Sequence, residues 1–328
     1  MYYLLFSSQH ANKTPSTGEG ILRLKNDFVD IKEIGSGQGG TVFKCVHLPS
    51  GAIYARKVIN MRADSPRQLK SITSELSALG KVKSQYVVSV IAVMYKELRL
   101  SVVMEWMDRG SLAFLLRSHG PLTEPLLSYV CRIIIKALIA LLEIGIVHRD
   151  LKPGNLLVNS HGNVKLCDFG ECTTWVGHRR LRSQVGTVAY MAPERIFGYE
   201  YDERSEVWSL GITVLELFLG HHPLIIQRTS HGLLTPPISA GNKLITSLPV
   251  AEVDCIADIE IAQIISSDNI LKPYSSRLTP SFDAFLQCCL HKNHEKRPRL
   301  PDLLVHPFII RHLNVSCADL KNSYIQIK

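Results

Sequence analysis

The stretch Ile34–Val42, IGSGQGGTV, restricts the fold more than any other part of this 328-residue chain. Gly35, Gly37 and Gly40 form Gly-x-Gly-x-x-Gly. Glycines at that spacing let backbone N–H groups approach phosphate oxygens with no Cβ in the way. In a dinucleotide-binding fold such a loop must open a helix. Here it follows FVDIKEIG and runs into TVFKCVHL, both of which alternate as strands do. The pattern predicts a glycine hairpin laid over the phosphates of a nucleoside triphosphate.

The flanking sequence extends this hairpin into a sheet. Pro49-Ser50-Gly51 marks a turn, and AIYARKVI is a third strand carrying Lys57. A lysine on a strand is ordinarily a solvated group. Lys57 stands out because apolar Ala55 shares its face and a counter-charge follows. Ser65-Pro66 supplies an N-cap and a first-turn proline. Ile72, Leu76 and Leu79 then form an apolar stripe, and Glu75 falls on it. A carboxylate on a core-facing stripe needs a partner. Strands around Tyr86–Met94 and Arg99–Glu105 complete a small antiparallel sheet with one helix, over residues 28–107. Residues 1–27 read as a flexible N-terminal tail.

From Ser111 the texture becomes helical. LLSYVCRIIIKALIALLEIGIV (Leu126–Val147) is long enough to cross a bilayer, yet Arg132, Lys136 and Glu143 share one helical face. Charges there are costly in lipid, so a core helix with one wet stripe is predicted and no membrane span. VWSLGITVLELFLG predicts a second buried helix, and LLVNSHGNVKLCDFG a hairpin. The Pro/Ser/Thr-containing stretch 221–249 reads as an insert. The resulting class is α+β, with a helical lobe over 108–313 and a C-terminal tail at 314–328.

Composition adds exclusions. The balance of 37 Lys+Arg against 29 Asp+Glu favours acidic partners such as phosphates. No aromatic-basic interleaving or reader motif accompanies it, so nucleic acid is not an expected partner. The eight cysteines show no Cys-x-x-Cys pair, which predicts free thiols in a reducing, cytoplasmic setting. MYYLLFSSQ lacks the charged start and the apolar length of a signal peptide.

Four further strings arrive in order: IVHRDLKPGNLLV (146–158), LCDFG (166–170), GTVAYMAPE (186–194) and KRP (296–298). With the glycine hairpin, Lys57 and Glu75, the set resembles the eukaryotic protein kinase family over about residues 28–313. That resemblance implies a bilobal fold with ATP and Mg²⁺ as cofactors. Gly35, Ser36, Gly37 and Gly40 would cover the phosphates. Lys57, held by Glu75, would ground two of them. Asp168 and Asn155 would hold Mg²⁺. Asp150 would orient the substrate hydroxyl and take its proton, with Lys152 offsetting charge on the transferred group. Met104, Glu105 and Met107 would line the hinge, and Val42, Ala55 and Leu157 would sandwich the adenine. His148 and Phe169 would stack with Leu79, and Glu194 would pair with Arg297.

Lys152 in HRDLKPGN is similar to serine/threonine kinases. YARKVI, VMEWMDRGSL, SQVGT and RSEVWSLGITVLEL go further and resemble the mitogen-activated protein kinase kinases. The implied substrate is Thr and Tyr in the activation loop of a downstream mitogen-activated protein kinase. The implied switch is an upstream kinase acting on Ser183, in the basic stretch GHRRLRSQVGT, with Arg149 as the phosphate's partner. Thr187 would sit by Asp150 and Lys152. There are three departures from that pattern. Glu206 stands where the family has Asp, Arg179 stands where it has a first phosphosite, and RLKNDFV is a poor docking motif. The alternatives are a generic serine/threonine kinase and a catalytically weak pseudokinase scaffold. The catalytic set itself is unbroken.

Overall fold

Strands β2 (Phe28–Gly37) and β3 (Gly40–His47) pair antiparallel from Phe28↔His47 down to Gly37↔Gly40, so the glycine stretch closes a hairpin. The structure, a computed structural model, describes residues 3–5, 27–37, 40–60, 80, 82, 84–175, 181–224, 264–265 and 270–325. Gly40 is required by its surroundings: its φ is +109°, and a Cβ there would lie 2.4 Å from the Val58 carbonyl oxygen.

Strands β1 (Tyr3–Leu5), β4 (Ile53–Asn60), β5 (Val90–Lys96) and β6 (Arg99–Glu105) complete the sheet in the order β1-β5-β6-β4-β3-β2. The register sets Val42 opposite Lys57 and Ala55 opposite Met104, so these side chains share one face. The tail reading of residues 1–27 is corrected at β1 (Tyr3–Leu5), which pairs antiparallel with β5. Without it β5 would be an open edge of the sheet. The helix expected around Glu75, with Ile72, Leu76 and Leu79, lies outside the described residues.

The helical lobe is built on α1 (Leu112–His119), α2 (Glu124–Glu143), α3 (Pro193–Ile196), α4 (Arg204–Leu219) and α5 (Pro280–Cys289). Helix α2 starts after Thr123 with a proline in its first turn and is buried along most of its length. Helix α4 is buried nearly all round and ends at Gly220, whose φ of +85° closes the last turn onto the Glu216 carbonyl. This is the two-lobed α+β architecture that the sequence predicts.

The wet stripe expected on α2 is open at Glu143, which is exposed, and partly covered at Arg132 and Lys136. Arg132 donates to the His312 and Val315 carbonyls, and Lys136 lies over the Tyr86 ring at 5.3 Å. The C-terminal segment supplies part of that cover. Leu320, Tyr324 and Ile325 are buried, and the Tyr324 hydroxyl donates to the Gly120 carbonyl at 2.7 Å. Of the 221–249 insert only His221–Leu224 is described. His222 and Leu224 are buried there.

Candidate active site

The catalytic loop hangs between short strands. Strand β8 (Ile146–Val147) leads into it, and β9 (Leu156–Val158), paired on one side with β7 (Gly110–Ser111), forms with β10 (Val164–Leu166) the hairpin behind it. Two non-glycine residues at the centre hold left-handed backbone, Arg149 at φ +68° and Asp168 at φ +63°. Such conformations persist only where the surroundings over-determine them. At Arg149 the surroundings are explicit: its N–H donates to Glu206 Oε1 at 2.7 Å. His148, fully buried, is fixed through both ring nitrogens, to the Cys167 carbonyl at 3.0 Å and the Asp150 N–H at 3.3 Å. Its ring meets Phe169 edge-on at 5.8 Å, while Leu79 lies outside the described residues.

Asp150 collects most of the site's polar contacts. Lys152 Nζ donates to Oδ2 at 2.7 Å, and the Thr187 hydroxyl and N–H donate to Oδ1 at 2.7 and 2.9 Å. Asn155 Nδ2 donates to Oδ2 at 2.9 Å and to the Asp150 carbonyl at 2.7 Å. Burial pushes the Asp150 carboxyl up, but the Lys152 and Thr187 hydrogen bonds and the Lys152 charge outweigh it and hold the group below its ordinary value. Asp150 is therefore an ionised acceptor at neutral pH. Lys152 also reaches the Thr187 hydroxyl at 2.6 Å, so Asp150, Lys152 and Thr187 close a ring of three contacts.

Across the cleft Lys57 Nζ donates to Asp168 Oδ1 at 2.6 Å. The Lys57–Glu75 pairing cannot be placed beside it, because Glu75 lies outside the described residues. Above this pair, a Cβ built on Gly35 or Gly37 meets nothing within 4 Å, so open space lies beside that strand. Ser36 and Thr41 hydroxyls face each other across the hairpin at 3.3 Å.

On the hinge side, Met104 and Leu157 pack against a small cluster of Val88, Met107 and Cys167. Ala55 stands opposite Met104 in the sheet, and Val42 lies on the same face. Glu105 makes an interlobe contact that the sequence did not announce. Its carboxylate accepts from Lys165 Nζ at 2.8 Å through both oxygens and from the Ser89 N–H at 2.7 Å. Nothing in the alternation of VKL singles out Lys165.

The donor set fits a hard cation held between protein and phosphates. Asn155 spends its amide nitrogen on Asp150, which leaves the amide oxygen for a cation, and Asp168 engages Lys57 through Oδ1 alone. Among the described residues no group of three His, Cys, Asp or Glu could form an all-protein metal cage. Mg²⁺ does not demand one, since it takes one or two protein ligands plus phosphate and water.

The activation segment is docked at Ser183. Arg149 donates to the Ser183 hydroxyl through Nη1, and to the Glu171 and Cys172 carbonyls through Nε and Nη2. Gly186 lets the chain pass close by: its φ is +103°, and a Cβ would lie 2.5 Å from the Arg149 carbonyl oxygen. Arg182 pairs with Glu200 at 2.8 Å, whereas His178, Arg179 and Arg180 lie outside the described residues. Deeper in the lobe, Glu194 and Arg297 form the predicted pair, bidentate at 2.6 and 2.8 Å and buried.

Comparison with known proteins agrees with this geometry. Residues 28–309 match the family described as protein kinase domain. The chain is 34% identical over 284 residues to the dual specificity mitogen-activated protein kinase kinase dSOR1 of Drosophila melanogaster. That alignment covers 86% of this chain and 70% of the relative.

Proposed function

The chain belongs to the protein kinase family, as a serine/threonine or dual-specificity kinase most like the mitogen-activated protein kinase kinases, and on that footing we propose its substrate and its switch. It transfers the γ-phosphoryl group of ATP to Thr, and to Tyr, in the activation loop of a downstream mitogen-activated protein kinase. An upstream kinase turns it on by phosphorylating Ser183. It acts in the cytoplasm. Among the described residues Cys45, Cys131, Cys167, Cys288, Cys289 and Cys317 are free thiols, which supports a reducing compartment.

The observation that carries the reading is the Asp150 constellation. An ionised carboxylate, held by Lys152, Thr187 and Asn155, has the charge and fixed position needed to orient an incoming hydroxyl and accept its proton. Lys152 is placed to offset charge on the group in transfer. Lys57 and Asp168 face each other where the phosphates would run beneath the glycine hairpin. Asp168 and Asn155 would hold Mg²⁺, which when bound supplies electrostatic stabilisation of the phosphoryl oxygens. Phosphoryl transfer asks mainly for such positioning and charge compensation.

The test is a phosphotransfer assay on an inactive mitogen-activated protein kinase from the same organism, with the modified residues mapped. Transfer to the Thr-x-Tyr segment is expected, and Asp150→Asn should abolish it. Full activity in that variant would overturn the assignment. ATP binding without transfer to any such substrate would favour the scaffold reading.

A further inference from the structure

Ser183 is contacted by a residue that the catalytic machinery does not use. Tyr201 is 1% exposed, and its backbone N–H and carbonyl pair with the carbonyl and N–H of Leu181, at 3.0 and 2.9 Å. This two-bond bridge brings the phenol back to Ser183. The Tyr201 hydroxyl donates to the Ser183 carbonyl at 3.0 Å and lies 3.3 Å from Ser183 Oγ. The buried Arg195 guanidinium stacks over the Tyr201 ring at 5.4 Å, and its Nη2 donates to the Arg149 carbonyl at 2.9 Å and to the Val185 carbonyl. Among the described residues Arg195 Nε and Nη1, both buried, have no hydrogen-bond partner. Ser183 itself is exposed, so a modifying enzyme can reach it.

Counting protons in this network fixes its direction. Arg149 can only donate, so the Ser183 oxygen accepts from it. Tyr201 has one hydroxyl proton and gives it to the Ser183 carbonyl. The contact between the two hydroxyls must then run from Ser183 to Tyr201. The unmodified serine is a donor to the phenol.

We infer that Tyr201 reads the state of Ser183 by this polarity, a role that rests on Ser183 being the regulatory site proposed above. Modification forms the Ser183 Oγ–P bond and breaks the bond between the γ-phosphorus of ATP and its bridging oxygen. ADP leaves, and the hydroxyl proton passes to the modifying kinase or to water. The phosphate offers acceptors where the serine offered a proton. Tyr201 keeps a contact with the side chain of residue 183 only by turning its own proton from the Ser183 carbonyl to the phosphate. Phosphorylation therefore releases that carbonyl and moves the hold on the segment from backbone to side chain. Arg149 gives a charge-assisted bond, and Arg195 supports the negative charge from behind the ring. Tyr201 is a positioning residue, acting through the segment and not on the substrate.

The test compares wild type with Tyr201→Phe, each carrying either serine or phosphoserine at position 183. Phenylalanine keeps the ring beneath Arg195. The ratio of phosphorylated to unmodified activity should fall at least about tenfold in the variant, the size expected for a hydrogen bond to a charged group. The unmodified variant should stay within about threefold of wild type. A second readout, the ³¹P titration of the phosphoserine, would not move for a merely structural role. Its second ionisation should lie lower in native wild type than in urea, and Tyr201→Phe should move it back towards the urea value. In protein labelled with ¹³C at tyrosine Cζ, the Tyr201 signal should shift on phosphorylation, which needs no substitution. An unchanged activation ratio with coincident ³¹P titrations, or a stationary Cζ signal, would overturn the role of Tyr201. If phosphorylation fails to activate wild type while the ³¹P difference persists, the regulatory reading of Ser183 fails and the phenol–phosphate contact stands.

Discussion

Lys57 Nζ and Asp168 Oδ1 sit 2.6 Å apart although 111 residues separate them in the chain, and each belongs to a different lobe. The pair ties β4 to the segment after β10. Lys57→Met leaves the Asp168 carboxylate without that cation. Because the Asp168 side chain is 39% exposed, water screens the loss, and little stability should go with it. Activity depends on charge placement and should drop by about 10²–10³-fold. Phosphotransfer rates alongside thermal melts separate the two. A large fall in melting temperature with preserved turnover would contradict this account.

Asp150 gives a pH prediction. Burial alone would raise its pKa, and the Lys152 and Thr187 contacts reverse the sign. The proton-accepting form is therefore lost only when pH falls below the ordinary carboxylate range. Lys152→Met removes the larger opposing contact and leaves the burial. The acid limb of the kcat/KM profile should then move to higher pH, in addition to the loss of turnover. A limb that stays in place would show that Asp150 does not set it.

These two sites differ in how far the sequence disclosed them. The catalytic residues fall in short contiguous strings, so local order is enough to list them: HRDLKPGN carries Asp150, Lys152 and Asn155 within six positions. The hairpin was legible because glycine punctuation and strand alternation agree. The cover over Arg132 was not legible, because it comes from carbonyls 180 and 183 residues away. Tyr201 and Lys165 were missed for the same reason. Each lies in an unremarked local pattern and gains its role from a partner in another segment. Tyr3–Leu5 was read as tail because three residues are too few for periodicity to register.

Glu206 is the departure from the family pattern that the structure lets us weigh. Oε1 accepts the Arg149 N–H at 2.7 Å, and Oε2 is buried with no hydrogen-bond partner among the described residues. One oxygen thus braces the left-handed Arg149 backbone. Glu206→Ala should destabilise the protein by about 1–3 kcal/mol, the range for leaving a buried N–H unpaired. It should also weaken the Arg149–Ser183 contact, lowering activity more in the Ser183-phosphorylated protein than in the unmodified one. Urea unfolding and matched assays on both forms check the two parts. Equal losses in both forms would place the role of Glu206 elsewhere.

Glu194 and Arg297 make the buried pair with the best geometry among the described residues, with the Arg297 guanidinium also 5.2 Å from the Trp208 ring centroid. Removing one partner strands the other's charge, so Arg297→Met should cost about 3–5 kcal/mol. Replacing both, as Glu194→Leu with Arg297→Met, should recover part of that loss. Denaturant midpoints of the single and double variants measure the coupling. A double variant less stable than the sum of the singles would rule out stranded charge as the cause.

His222 makes stability depend on pH with a definite sign. The ring is buried edge-on to Tyr190 at 4.8 Å, and Nδ1 accepts the Leu224 N–H at 3.2 Å. That hydrogen bond needs a neutral ring, and burial pushes the pKa down from 6.5 to about 4. Between those values the unfolded chain binds a proton that the folded chain refuses. The contribution is therefore fully present above pH 6.5 and is lost as pH falls towards about 4, reaching roughly 2–4 kcal/mol. Glu216, which accepts from the Tyr190 hydroxyl at 2.6 Å, works in the other direction. Burial raises its pKa against the Tyr190 hydrogen bond and the Arg117 charge, so its contribution is lost as pH rises through the raised value. His222→Asn retains an acceptor for Leu224 but has no proton to refuse. Urea unfolding at pH 7.5, 6.0 and 5.0 should show wild type losing stability more steeply than this variant as the pH falls. Parallel curves would mean that His222 does not carry the dependence.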